Sequence, residues 1–164
     1  MARPTAPGSQ SGFALIALLI VIAAMGAALG AGGTLWHQVQ MREKERELLF
    51  AGMQIRNAIA HYYNGIAGRP AYPPTLEALL LDERAPGVKR HLRRIYRDPL
   101  SNTLQWGLLT APGGGIMGVY SLAPGVPIKS ANFPAALGWA GTEEKREMRS
   151  YADWQFSYVP QAAR

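Results

Sequence analysis

The chain has 164 residues, with 17 Lys and Arg against 11 Asp and Glu and no cysteine. Its 48% apolar and 17% charged residues exclude an intrinsically disordered chain, and its length suits one domain. The lack of cysteine excludes disulfides and thiolate metal sites. The formal charge of +6 permits an acidic partner, such as nucleic acid or anionic lipid, without requiring one.

The first predicted element is an apolar helix. Residues 13–35 contain no charged side chain, and as a helix they span roughly 35 Å, enough to cross a bilayer. A cleaved secretory signal is the alternative, because Arg3 precedes the run and "AALGAGG" offers small residues near its end. The run is longer than a usual signal core and the helical pattern continues beyond it. A retained helix is therefore the favoured interpretation.

The helix is predicted to continue as an amphipathic segment to residue 64, since no proline interrupts residues 13–64. Small or apolar side chains recur there at alternating steps of four and three residues, which lines one helix face. They are Leu48, Gly52, Ile55, Ile59 and Tyr62. The charged run "REKERE", residues 42–47, is interpreted as a solvated helix face at the membrane surface, with opposite charges at i,i+3.

Two short helices are predicted next. The first follows the prolines of "AYPPTLEALLL", because proline is tolerated in the first turn of a helix. The second covers residues 88–97 and places Lys89, Arg93 and Arg97 on one side. A solvated helix face is preferred there to a nucleic-acid patch, because Tyr96 is the single interleaved aromatic.

Three strands are predicted after Pro99, in "NTLQWGLLTA", "IMGVYSLAP" and "YADWQFSYV". Glycine-rich turn residues between the first two indicate a hairpin, and the aromatics of the third suit a strand. A long loop is expected over residues 124–150. A long helix followed by a small antiparallel sheet is an α+β architecture.

A search for reactive or ligand-binding groups favours a protein that is not an enzyme and has no cofactor. Gly113 to Gly118 match G-x-G-x-x-G, but a strand follows instead of a helix, so the stretch is interpreted as a turn. His37, His61 and His91 have no partner at metal-ligand spacing, and no serine has a nucleophile motif. Calcium is left open by a few carboxylates near the C-terminus. They are Glu143, Glu144, Glu147 and Asp153.

A short polar leader ending in glycine, followed by phenylalanine, an apolar helix, an amphipathic helix and a small sheet, resembles the type IV pilin-like proteins. Within them the chain is most similar to the G-type or major pseudopilins of type II secretion, whose soluble region resembles "RRIYRDPLSNTLQWGL" and "GGGIMGVYSL". The resemblance implies a pilin-like fold with a leader over 1–12, a transmembrane and filament-core helix over 13–35, and a periplasmic domain over 36–164.

The resemblance also implies processing, partners and localisation. A prepilin peptidase would cleave after Gly12 and methylate Phe13, and the subunit would sit in the bacterial inner membrane with its N-terminus cytoplasmic. It would then join other pseudopilins and the inner-membrane secretion platform in a periplasmic pseudopilus. Calcium is a feature of the G-type group, and the sparse carboxylates of this chain argue against transferring it.

One position departs from the family pattern. The usual glutamate at the fifth position after cleavage, which pairs with a neighbour's terminal amine, is Ala17 here. Ala17 indicates a tip or accessory subunit, or a subgroup that assembles through apolar contacts. Gly26 and Gly30 form a small-xxx-small pair that permits close helix approach. The alternatives are a membrane-anchored periplasmic adaptor that does not polymerise, and a minor pilin that binds DNA through the basic segment.

Overall fold

The computed structural model describes residues 11–85, 87–134, 137 and 148–160, and for residues 11 and 27–35 it describes the backbone alone. Within this part the chain is α+β, as predicted. Its elements are a long helix α1 (Ser11–Tyr63), 3-10 helices at Glu77–Leu79 and Tyr151–Asp153, and strands β1 (Gly107–Thr110), β2 (Ile116–Tyr120) and β3 (Phe156–Ser157). The strands form one antiparallel sheet in the order β1-β2-β3.

The chain divides into two compact units, an N-terminal unit Met1–Gln40 and a C-terminal unit Met41–Arg164. Among the described residues, no helix is both long enough and apolar enough to cross a membrane. The predicted span of residues 13–35 lies partly outside this description, because the side chains of residues 27–35 are not included in it. The predicted leader lies outside it as far as residue 10.

The core of the C-terminal unit forms around the predicted apolar face of α1. Leu48, Ile55 and Ile59 are fully buried, and Tyr62 is nearly so. Gly52 lies against the Phe156 ring of β3, where a Cβ would stand 2.4 Å from a ring carbon. The predicted stripe is therefore confirmed, and its glycine lets the helix backbone approach the Phe156 ring closely.

The glycine-rich stretch forms the hairpin between β1 and β2, which confirms the turn interpretation. Gly114 and Gly115 have φ angles of 87° and 80°, a region that favours glycine because it has no Cβ. A Cβ on Gly115 would also approach Tyr72 to 2.8 Å. The stretch therefore holds glycine for backbone geometry, with Gly118 already inside β2.

The predicted second helix over 88–97 is wrong, because no helix occurs there. The backbone of this segment bonds to the preceding turn: the Asp82 amide donates to the Lys89 carbonyl, and the amides of His91 and Leu92 both donate to the Leu79 carbonyl. These bonds replace the i→i−4 ladder that a helix needs.

The other short elements differ from prediction in length or type. The expected helix after the prolines is one 3-10 turn, Glu77–Leu79. The expected third strand is Phe156–Ser157 alone. It is preceded by the 3-10 turn Tyr151–Asp153, where Ser150 and Asp153 form a capping box. Such reciprocal side-chain bonds to the backbone stabilise a helical start and compete with the strand.

Candidate functional site

The described N-terminal part of α1 exposes large apolar side chains on every face. Exposure ranges from 49% at Val21 to 79% at Phe13. The set is Phe13, Leu15, Ile16, Leu18, Leu19, Ile20, Val21, Ile22 and Met25. Because successive helix residues point about 100° apart, the consecutive run 18–22 covers the full circumference. A helix that is apolar all round is characteristic of burial in a larger assembly or in a membrane.

The predicted processing and assembly residues lie on this segment. Gly12 and Phe13 occupy the first turn of α1, and Ala17 is partly exposed one turn further along. A Cβ added at Gly12 or Gly26 would meet no atom within 4 Å. Gly30 is on α1, but its surroundings lie outside the described side chains. The four described positions are thus open to an outside partner.

A buried carboxylate anchors α1 to the segment after β2. Glu45 is 2% exposed, and its Oε1 accepts hydrogen bonds from the Ile128 amide at 2.6 Å and the Tyr151 hydroxyl at 3.0 Å. Its Oε2 accepts the Lys129 amide at 3.1 Å. Burial first, and then the bond and charge of Glu45, raise the pKa of Tyr151 to about 12.

Glu45 corrects the interpretation of the charged run. The run was expected to be a solvated helix face, and this holds for Glu43 and Arg46, which form an exposed ion pair at 3.1 Å. Glu45 instead lies three residues before Leu48 and so continues the apolar stripe. Extending the alternating steps of three and four one position toward the N-terminus was the signal that would have found it.

A second buried carboxylate organises the turn after the first 3-10 helix. Asp82 has a fully buried side chain and accepts bonds from Arg84 Nε at 2.9 Å and Arg84 Nη2 at 3.0 Å. His91 Nε2 lies 3.0 Å from its Oδ2. The hydrogen bonds from Arg84 are the largest cause that holds the Asp82 pKa well below its usual range. Arg84 also bonds the Tyr62 carbonyl at 2.7 Å, so the cluster closes the end of α1.

The cluster gives His91 a partner, although the sequence showed none at metal-ligand spacing and His91 was interpreted as a helix-surface or interface residue. Its side chain is 4% exposed, and its ring stacks edge-on to Tyr62 at a centroid distance of 5.4 Å. The nine-residue separation from Asp82 gave no sequence signal, because it depends on the tertiary turn.

A third buried carboxylate fixes the turn that precedes β1. Asp98 accepts the Leu100 amide at 2.9 Å and the Ser121 hydroxyl at 2.6 Å, and the same hydroxyl accepts the Ala123 amide at 3.1 Å. Both side chains are fully buried. These hydrogen bonds hold the turn to the end of β2, so Asp98 and Ser121 have a structural role.

The basic segment is an irregular surface loop in place of the expected helix face. Lys89 donates to the Gly65 carbonyl at 2.8 Å and Arg97 to the Asn102 carbonyl at 3.0 Å. Arg93 is exposed. Two of the three cations chosen from the sequence therefore hold turns together. This is a structural role that the charge pattern alone did not reveal.

Most of the carboxylates considered for calcium lie outside the described residues, namely Glu143, Glu144 and Glu147. Asp153 is described, and its Oδ2 accepts the backbone amides of Arg149 and Ser150, each at 2.9 Å. Within the described residues no group of three His, Cys, Asp or Glu side chains is placed to hold a metal ion. Asp153 thus caps a helical turn.

No protein-family model, no curated protein and no solved structure matches this chain.

Proposed function

We propose that the chain is a pseudopilin, a structural subunit of a type II secretion or type IV pilus-like filament. The carrying observation is the exposed apolar helix segment that begins at Phe13. Burial of a large apolar side chain contributes about 1.5 to 3 kcal/mol, so nine such side chains strongly favour a medium that removes them from water. A membrane and a bundle of like helices both do so.

The same segment suits both environments. Beyond the first turn of α1 its backbone amides bond within the helix, as lipid requires, and open space at Gly26 lets another helix approach closely. Trp36, 67% exposed directly after the apolar run, is the residue type that collects at membrane interfaces. A subunit with these features is anchored first and packed into a filament later.

Ala17 bears on how the subunit passes from the membrane into the filament. A charged side chain at the centre of a membrane costs about 2.5 to 3.5 kcal/mol on insertion scales, and this chain has none from residue 12 to residue 35. Assembly therefore needs no paired carboxylate and proceeds through apolar contacts among helices. On this proposal the chain is a tip or accessory subunit, or belongs to a subgroup that packs without the charge pair.

The remaining assignments follow from this proposal. A prepilin peptidase removes residues 1–12 and methylates Phe13. The processed chain lies in the bacterial inner membrane with the C-terminal unit in the periplasm, and its partners are other pseudopilins and the secretion platform. The catalytic groups for processing belong to the peptidase. The C-terminal unit contributes buried structural carboxylates, and calcium is not part of the proposal.

Terminal mass analysis tests this directly. In cells that supply a prepilin peptidase, the membrane form is expected to start at N-methylated Phe13. Gly12→Leu should leave the chain unprocessed, since the bulky residue stands at the scissile bond. Gly8→Leu is the matched control in the same leader and should be processed normally. A membrane form that keeps Met1, or that starts near Thr34, contradicts the proposal.

A further inference from the structure

A groove in the C-terminal unit runs between α1 and the segment after β2. It has a volume of about 330 Å³. Three cationic side chains stand around it, and an apolar pair forms part of its wall. The lining includes Arg42, Arg46, Lys129, Leu49, Ile128 and Ser130.

Among the described lining residues, three cations stand against one carboxylate. That carboxylate belongs to Glu45, and its oxygens accept hydrogen bonds from two backbone amides and a tyrosine hydroxyl. Arg46 pairs with Glu43, but both side chains are more than two-thirds exposed, and such a pair is weak and screened by salt. The Lys129 ammonium lies 5.4 Å from the centroid of the Phe133 ring. The described lining of the groove therefore carries an excess of positive charge.

The position of the groove in the chain limits what it can meet. Arg42 follows Leu35 by seven residues, and seven residues reach at most about 25 Å even when fully extended. If residues 13–35 lie in a membrane, Arg42 and Arg46 lie in the charged run 42–47 close to the bilayer. Anionic headgroups attract a Lys or Arg side chain that comes within a Debye length of them.

We propose that the groove binds the phosphate of an anionic phospholipid headgroup. The guanidinium groups of Arg42 and Arg46 suit phosphate oxygens geometrically, and Leu49 and Ile128 accept the apolar atoms next to the headgroup. This inference rests on the proposed membrane-anchored function. Headgroup binding holds the unassembled subunit at the bilayer surface, and this contact is released when the subunit leaves for the filament.

The cysteine-free chain permits a clean test by Ser130→Cys, which places one thiol in the groove. The full chain is reconstituted into phosphatidylcholine nanodiscs with or without phosphatidylglycerol, and labelling by a membrane-impermeant maleimide is timed. Phosphatidylglycerol is expected to slow labelling at least ten-fold. Added Arg42→Gln and Lys129→Gln should abolish the slowing. Lys44→Gln, an exposed cation on the same helix outside the groove, should retain it.

In nanodiscs, three outcomes overturn the proposal. Equal labelling in both lipid mixtures shows no preference for anionic headgroups. Loss of protection in Lys44→Gln as complete as in the double variant shows diffuse attraction without a site. Protection by inorganic phosphate in phosphatidylcholine nanodiscs as strong as by phosphatidylglycerol assigns the groove to a free anion.

A separate experiment distinguishes failure of the groove proposal from failure of the membrane-anchored function on which it rests. If the chain fails to co-purify with either nanodisc, the membrane-anchored function fails. The labelling is then repeated in detergent with soluble dihexanoyl phosphatidylglycerol. Protection that depends on Arg42 and Lys129 supports the groove even then, and absence of protection overturns it.

Discussion

Replacement of Glu45 by glutamine perturbs one buried contact between α1 and the rest of the C-terminal unit. Glutamine has the same shape but only one acceptor oxygen, and its amide group brings donors to a place where three donors already converge. Ile128 N, Lys129 N and the Tyr151 hydroxyl all lie within 3.1 Å of the carboxylate. At least one of them must lose its acceptor.

The expected cost is the difference between large terms. A hydrogen bond to a charged group contributes about 1.5 to 3 kcal/mol, and a buried unsatisfied donor costs about 1 to 3 kcal/mol. Removing the buried charge recovers part of its desolvation cost. We expect Glu45→Gln to lower the free energy of unfolding by about 3 kcal/mol, which corresponds to a fall in Tm of roughly 6 to 12 °C.

The assay is thermal unfolding of the full chain in dodecyl maltoside. Near-ultraviolet circular dichroism reports the tertiary packing of the buried Trp106 and Trp154. Glu43→Gln is the matched control, since it removes one carboxylate of an exposed pair on the same helix turn and should change Tm by no more than a degree or two. Unfolding of Glu45→Gln at the same temperature as Glu43→Gln would refute the reasoning.

Three further predictions follow from the same core. Because the Tyr151 pKa is raised to about 12 from an unfolded value near 10, its contribution is present below pH 10 and is lost as pH rises to 12. The free energy of unfolding, measured by urea titration at a series of pH values, should therefore fall by about 2 to 3 kcal/mol less between pH 10 and pH 12 in Tyr151→Phe than in the unsubstituted chain. The Asp82 pKa is lowered, so its contribution is present above about pH 4 and is lost as pH falls through the folded value. Asp82→Asn should destabilise the protein by about 3 to 5 kcal/mol at pH 7 and flatten the acid limb of the same titration; an unchanged acid limb would contradict the assignment. Gly52→Ala should cost about 1 to 3 kcal/mol by overpacking against Phe156 despite the gain in helix propensity, whereas Gly113→Ala, with nothing within 4 Å, should be neutral in thermal unfolding.

The main elements of the fold were predictable where the sequence shows a regular pattern. The stripe from Leu48 to Tyr62 repeats with helical spacing, and the glycines at the hairpin mark backbone geometry that other residues avoid. Both signals are local, so the helix, the hairpin and the α+β class followed from them.

The missing helix over 88–97 and the shortened third strand were not predictable in the same way. The segment 88–97 has a helical pattern, yet its His91 and Leu92 amides donate to the Leu79 carbonyl and its Lys89 carbonyl accepts from the Asp82 amide. The third strand shortened because the Ser150 and Asp153 capping box closes a 3-10 turn first. The first outcome depends on the tertiary turn and the second on side-chain bonds to the backbone, and propensity records neither.

The exposed apolar segment shows the complementary case. Its composition predicted burial, and in the part of the chain that the structure describes these side chains are exposed. On the proposed function, a membrane or the helices of other copies cover them.

Cross-linking between subunits tests the central claim most directly, namely that the apolar helices of many copies pack together after processing. Ile16→Cys and Met25→Cys are introduced together into the cysteine-free chain, and membranes containing the peptidase and secretion platform are treated with a short bismaleimide. A heterologous, repeating contact produces a ladder of oligomers. We expect that ladder from the processed chain and its disappearance when Gly12→Leu is added. Monomers alone from both chains would contradict the account.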